Sequence, residues 1–236
     1  MEYILGFFYF PIDKWYIILI VPTMLLSFYA QISVQNSFAK FSQIRGSRNL
    51  SGAQVAQSIL QNHCSNYVAV ERVPGMLTDH YSPQEEVLRL SESVFDSKSI
   101  AAVGVAAHEC GHAIQHAENY GPLALRSGLY PVARIGSGAG PYLALMGLVL
   151  NFEILFTIGI IFFAAAVLFY LITLPVELDA SKRALAILEA DNYLNQEELQ
   201  GARKVLRAAA LTYVASAATA FASMLRLILI NRDRRE

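Results

Sequence analysis

The chain has 236 residues, 55% of them hydrophobic and 16% charged, with a mean hydropathy of +0.39. That apolar excess, gathered in runs, is too large for an ordinary soluble domain and indicates a membrane protein. A net charge of −1 points to neither a nucleic-acid partner nor an acidic tail, and two distant cysteines, Cys64 and Cys110, form no disulfide framework.

Residues 15–32 are almost uncharged and long enough to cross a bilayer, which takes about 20 apolar residues. A cleaved signal peptide would need a basic start and small residues before the cut. The chain opens Met1-Glu2-Tyr3 and this stretch ends Phe28-Tyr29-Ala30, so a retained anchor over residues 1–34 is expected. Residues 40–127 are polar and mixed, of globular composition. Ser51 can cap a short helix bearing Ala53, Val55, Ala56, Ile59 and Leu60. Residues 67–73 form an expected strand ended by Pro74-Gly75, and Val87–Ser91 a second. A helix over about residues 97–119 follows, with Ser97 or Ser99 near its start and Gly121-Pro122 at its stop.

Two apolar stretches, residues 129–150 and 154–174, are separated only by Asn151-Phe152-Glu153 and predict a transmembrane hairpin over 129–174. Residues 175–207 follow, beginning with a charged, alanine-rich helix to about residue 191 that has Pro175 in its first turn. Residues 208–236 make a last apolar stretch and a basic tail. Its small residues Ala208, Thr212, Ser216 and Ala220 suit close helix packing, while Arg226 leaves an interfacial placement open. The expected fold is an α-helical membrane protein with about four transmembrane helices and a small α+β domain over residues 35–128.

With four spans, residues 35–128 and 176–207 share one side. Near span ends they carry Lys40, Arg45, Arg48, Arg126, Lys182, Arg183, Arg203, Lys204 and Arg207. Opposite them stand Lys14, Arg232, Arg234 and Arg235. The count places the long segments in the cytoplasm, with the basic C-terminus counting the other way.

His108-Glu109-Cys110-Gly111-His112 carries the chemistry. Residues four apart on a helix share a face, so His108 and His112 can converge on one ion. Neutral imidazoles suit Zn²⁺ at about 2.0–2.1 Å, and a catalytic zinc takes three protein ligands and a water. Glu109 is placed to take that water's proton and pass it to the leaving amine, the metal lowering the water's pKa from ~15.7 towards ~7. The approach through Ala101, Ala102, Gly104, Ala106 and Ala107 lets this helix pack tightly. Cys110 points about 200° away from each histidine and is not an expected ligand. Cys64 has no metal partner at a suitable spacing.

A third donor is needed. The position six residues after His112 holds Glu118, not histidine, and His116 lies about 12 Å along the axis from His108, so an exposed histidine is expected there. Glu177 follows the 154–174 span on the same side as the histidines and is the favoured ligand; an acid complementing a helix dipole is the other reading. Asp179 is an acceptor behind a ligand histidine or an ion-pair partner of Arg183, and Asp179 and Glu118 remain alternative donors.

Leu77-Thr78-Asp79-His80-Tyr81-Ser82-Pro83, Leu88-Arg89-Leu90-Ser91, residues 105–115 and Leu174-Pro175-Val176-Glu177-Leu178-Asp179-Ala180-Ser181 together resemble the YugP-type neutral zinc metallopeptidases of bacterial membranes. The resemblance covers most of the chain. It implies a gluzincin-like peptidase with one zinc per chain on His108, His112 and Glu177. The layout is also similar to the HtpX and Ste24 membrane peptidases. That wider group places an aspartate four residues after the glutamate, where this chain has Ser181.

In zincin-like folds an edge strand beside the metal helix pairs with an extended peptide, which would make Val87, Arg89, Leu90 and Ser91 substrate-binding; a plain core strand is the alternative. His80 and Tyr81 are candidate oxyanion donors, or ordinary loop residues. The expected function is a membrane-embedded zinc metalloendopeptidase of the bacterial plasma membrane with a cytoplasmic active site. Its partners are a peptide or protein substrate and the lipid bilayer, without nucleic acid, and the sequence sets no oligomeric state. A site-2-type intramembrane protease is disfavoured because the apolar lead-in over residues 100–107 is too short to span. A non-catalytic metal-binding scaffold would have no use for Glu109.

Overall fold

The computed structural model describes residues 13–64 and 67–235. The part of the expected anchor that precedes Asp13 lies outside the described residues. A π-helical turn (Tyr16–Ile20) leads into α1 (Val21–Ser42), followed by α2 (Gly52–His63). Then come β1 (Ala69–Val73), β2 (His80–Ser82), β3 (Val87–Ser91) and the short α3 (Glu92–Phe95). Four-residue α3 precedes α4 (Ile100–Ala117), α5 (Gly121–Val149), α6 (Glu153–Ala190) and α7 (Gln196–Asp233). Tyr16–Ser42, α5, α6 and α7 are each long and apolar enough to cross a membrane. The protein is therefore a helical membrane protein with a small α+β portion.

Local signals account for the element starts. Ser51 accepts from the Gln54 amide while the Gln54 side chain accepts from the Ser51 amide, a complete capping box for α2. Ser99 accepts from the Ala102 amide and starts α4. Asn49, Asn119, Asn151 and Asn192 each take positive φ in the turns between helices, a conformation asparagine tolerates.

Several expectations are corrected. Residues 175–191 are not a separate helix: α6 runs unbroken from Glu153 to Ala190 with Pro175 inside it. In a membrane helix the backbone groups freed by proline can be satisfied by neighbours, so continuity costs less than a break. The last helix begins at Gln196, twelve residues before its apolar stretch, because a charged amphipathic surface continues it toward the polar end. His80 and Tyr81 lie in a strand, not a loop. The sheet order is β1-β3-β2, with β3 parallel to β1 and antiparallel to β2. Val87–Ser91 is thus the central strand, not an edge: both its sides are already hydrogen-bonded, and Leu88, Leu90 and Ser91 are fully buried.

The described residues form two compact units. One comprises residues 13–29, 130–170 and 215–235. Its core joins Ala144, Leu148, Phe156, Phe163, Val167 and Leu227, while Ile17, Leu25, Phe28 and Ile161 are exposed, as lipid-facing residues should be. A Cβ on Gly159 would sit 2.2 Å from the Ala144 amide nitrogen, so this glycine sets how closely the hairpin helices approach. Arg226, buried within α7, donates to Asp13 at 2.5 and 3.1 Å, which compensates its charge.

The other unit, Ala30–Leu129 and Leu171–Val214, holds the sheet and α4. Its core runs from Phe38 and Ile59 through Leu88, Leu90 and the alanines of α4 to Leu188 and Leu206. Small residues let neighbours reach the α4 backbone. A Cβ on Gly104 would meet Ala202 Cβ at 3.2 Å, and one on Gly111 would meet the Ala180 carbonyl oxygen at 2.6 Å. The second contact cannot be relieved by a side-chain rotation, so α4 and α6 would have to separate. Gly111→Ala is expected to destabilise the protein by about 1–3 kcal/mol, the range for overpacking. Unfolding in detergent should show it, and a wild-type transition would contradict the contact.

Candidate active site

The α4–α6 approach at Gly111 sets the register of the site. Glu177 lies three residues, nearly one turn, before Ala180, and His108 and His112 flank Gly111 on α4. The result is a cluster in which one ligand atom from each of His108, His112 and Glu177 lies within 4.8 Å of the others. His108 Nε2 is 3.3 Å and His112 Nε2 3.5 Å from the same oxygen, Glu177 Oε2. The two rings meet edge to face with centroids 4.8 Å apart. The Glu177 side chain is 3% exposed, so its charge depends on these partners and on Arg126 of α5, whose Nη1 donates to the other oxygen, Oε1, at 3.1 Å.

The outer atoms of the imidazoles are committed too. His112 Nδ1 lies 3.1 Å from Gln115 Oε1, and the Gln115 amide nitrogen donates to the Val176 carbonyl at 2.9 Å and to Asp179 Oδ2 at 2.8 Å. With its nitrogen spent on two acceptors, Gln115 presents an oxygen to His112, which requires the proton on Nδ1 and leaves Nε2 bare in the neutral ring. His108 Nδ1 lies 3.0 Å from Ser181 Oγ. Burial opposes charge on His112, yet the Glu177 and Glu109 carboxylates and the Gln115 carbonyl together outweigh it and raise the imidazole's pKa. Glu109 is buried beside His108 on α4, and Tyr213 of α7 stands close to both the Glu109 and Glu177 carboxylates.

The structure thus brings His108, Glu109, His112 and Glu177 together and leaves other expected residues elsewhere. Asp179 touches neither histidine. It holds Gln115 and pairs with Arg183 at 2.6 Å, so it supports His112 at one remove and makes the expected ion pair as well. Glu118 pairs with Arg183 at 2.6 Å. His116 is not exposed as expected but half-buried, because it packs on Tyr81: the Tyr81 hydroxyl lies 2.9 Å from its Nδ1. Burial pushes the Tyr81 pKa up to about 12. His80 is exposed and turned to the Thr78 carbonyl at 2.9 Å. Arg89 pairs with Glu71 and Glu85, and the Ser91 amide and hydroxyl both donate to Asp79. Cys110 faces away, its Sγ 3.7 Å from the Ala56 carbonyl, and burial raises its pKa well above normal. Gln115, Ser181 and Arg126 were not foreseen. The first had a signal, since a residue three positions after His112 shares its helix face. So did Ser181, which occupies the position where the wider group has its aspartate. Arg126 had none.

Two imidazoles from adjacent helix turns and a buried carboxylate, on a chain with four membrane-length helices among its described residues, make the layout of a membrane zinc peptidase. A family model described as "Putative neutral zinc metallopeptidase" matches residues 16–232, and the chain belongs to that family. It is 45% identical over 221 residues to the "Putative membrane protease YugP" of Bacillus subtilis (strain 168), covering 94% of this chain and 98% of that protein. No solved structure matches the chain.

Gln115 gives a test of the geometry that needs no substrate. Gln115→Leu would leave His112 Nδ1 without a partner in a buried site and remove the bonds that tie α4 to the Val176 carbonyl and Asp179, at a cost of about 1–3 kcal/mol. Thermal unfolding in detergent should move down accordingly, and an unchanged midpoint would mean that this network does not form.

Proposed function

We propose that the chain is a membrane-embedded zinc metalloendopeptidase, with one zinc per chain held by His108, His112 and Glu177 and with Glu109 as general base. The observation that carries this reading is the convergence of both Nε2 atoms on Glu177 Oε2 while every outer atom of the three side chains is engaged elsewhere. An O/N/N donor set on two rigid helices fits zinc, which takes three such protein ligands in catalytic sites. When bound, zinc supplies Lewis-acid chemistry, polarising the scissile carbonyl and lowering the pKa of water at the site from ~15.7 towards ~7.

The remaining roles belong to this chain's side chains. Glu109 accepts the proton of the attacking water and returns it to the leaving amide nitrogen. Gln115 and Ser181 orient His112 and His108, and Arg126 holds Glu177 Oε1 so that Oε2 faces the histidines. Because β3 is central, an extended peptide adds instead to β2, whose second edge has no strand partner among the described residues. The Tyr81–His116 bond ties that strand to α4 one turn beyond His112. This makes Tyr81 a positioning residue and leaves His80 without an oxyanion role. The excess of basic residues in 35–128 and 176–207 supports a cytoplasmic active site in a bacterial plasma membrane.

Glu109→Gln should keep one equivalent of zinc while peptide cleavage falls by about 10²-fold or more. Glu177→Ala should lose the metal. Unchanged cleavage in the first variant, or a full zinc equivalent in the second, would overturn the assignment. Ser181→Ala should bind zinc at unchanged stoichiometry but about tenfold more weakly, as is usual when the partner behind a ligand histidine is removed. Competition with a chromophoric chelator would measure it, and wild-type affinity would remove Ser181 from the site.

A further inference from the structure

Far from the donor cluster in the chain, α1 and α7 enclose an open cavity of about 470 Å³. On α1 it is lined by Ser33, Asn36, Ser37 and Lys40, a stripe at three- and four-residue spacing. On α7 it is lined by Lys204, Arg207, Ala208 and Leu211, again one helix face. Phe41 forms part of the wall; it packs against Gly201, where a Cβ would come within 2.9 Å of its ring, and the Lys40 ammonium lies 5.6 Å from the ring centroid.

Two features give this cavity a chemistry. Three cations line it and no carboxylate does, and none of the three makes an ion pair among the described residues. All three side chains are exposed, so the cavity presents three positive charges at its surface with no carboxylate among its lining residues to balance them. The cavity also lies where both helices change character. Residues 15–32, just before Ser33, are almost uncharged, and the apolar stretch of α7 begins at Ala208, just after Arg207. The cations therefore sit at headgroup depth, with Leu211 and the apolar stretches leading away from them.

We propose that this cavity binds the phosphodiester headgroup of an anionic phospholipid. Lys40, Lys204 and Arg207 take the phosphate, Ser33, Asn36 and Ser37 offer hydrogen bonds to it and to the polar head, and the acyl chains follow the apolar stretches. A free phosphate would use the cations but gain nothing from that apolar continuation. Basic pockets between membrane helices recognise headgroups in this way.

The test uses the full-length protein, delipidated in detergent and titrated with phosphatidylglycerol, phosphatidylcholine or inorganic phosphate, with bound lipid counted by native mass spectrometry. Phosphatidylglycerol should saturate one tight site and phosphatidylcholine should not. The variant Lys40→Gln/Lys204→Gln/Arg207→Gln should bind phosphatidylglycerol about tenfold or more weakly. Arg45→Gln/Arg72→Gln/Lys98→Gln, which removes the same charge elsewhere, should bind like wild type. Circular dichroism reports whether the first variant is folded, and Arg207→Glu alone, which should also weaken binding, serves if it is not. Retained tight binding in the pocket variants, or equal loss in the charge-matched variant, would overturn the site. Displacement of the lipid by millimolar-scale inorganic phosphate would overturn its assignment to a lipid.

Discussion

The close approach of α4 and α6 at Gly111 is the constraint from which the site follows. The Ala180 carbonyl lies where any side chain on Gly111 would begin, so the two backbones touch and neither can slide without a clash. That contact fixes which residues of α6 face the histidines. Ser181, one residue beyond Ala180, meets His108, and Glu177, one turn earlier, reaches both rings. A larger residue at 111 would push back the carbonyl and, with it, both groups that α6 contributes. The alanines and glycine that lead into the motif serve the same end: they keep α4 slim, so that neighbouring helices can approach it from more than one side.

The charges around the cluster follow from burial. Glu177 is nearly inaccessible, and an isolated carboxylate there would be strongly disfavoured. It has a cation on one oxygen and two imidazoles on the other. Behind the imidazoles stand a carboxamide and a hydroxyl, not carboxylates. A carboxylate there would raise ligand basicity more strongly. In this chain the negative charge on the network lies one bond further out, on Asp179, where Arg183 already balances it. The cluster of His108, His112 and Glu177 therefore carries one formal negative charge, shared by both Glu177 oxygens, and Arg126 on Oε1 leaves Oε2 to the histidines.

What could be read from the sequence was what depends on local spacing. The histidine pair, the capping serines and the two apolar stretches around Asn151 follow from periodicity or turn chemistry, and the need for a third donor favoured Glu177 over Asp179 and Glu118 without deciding among them. The order of the strands did not, because pairing of β3 with both neighbours is decided by side chains far apart in sequence; an apolar five-residue run reads alike at an edge and at the centre. Asp179 was half legible, since its four-residue spacing to Arg183 is a local fact while its bond to Gln115 crosses between helices. Arg126 was illegible for the same reason: from α5 it meets Glu177 only through tertiary packing. Arg226 shows the opposite case, an intramembrane charge that marks its own need for a partner but does not say that the partner is Asp13.

Pro175 was the most misleading residue, and its actual setting says how Glu177 is held. A proline inside a helix removes one backbone hydrogen bond and weakens the turn before it, so Glu177 follows a soft point in α6. If the helix alone positioned the ligand, bending at that point would be transmitted to the carboxylate. Two contacts past the proline oppose this. Gln115 grips the Val176 carbonyl directly, and Ala180 is locked against Gly111. Both anchors lie on α4, the helix that carries the histidines, so Glu177 is referenced to the same rigid element as His108 and His112. Gln115 thus orients His112 with one end and secures the backbone beside Glu177 with the other. A single fully buried side chain couples His112 to Glu177, and the softness at Pro175 can be tolerated because the cluster does not take its geometry from the turn that contains it.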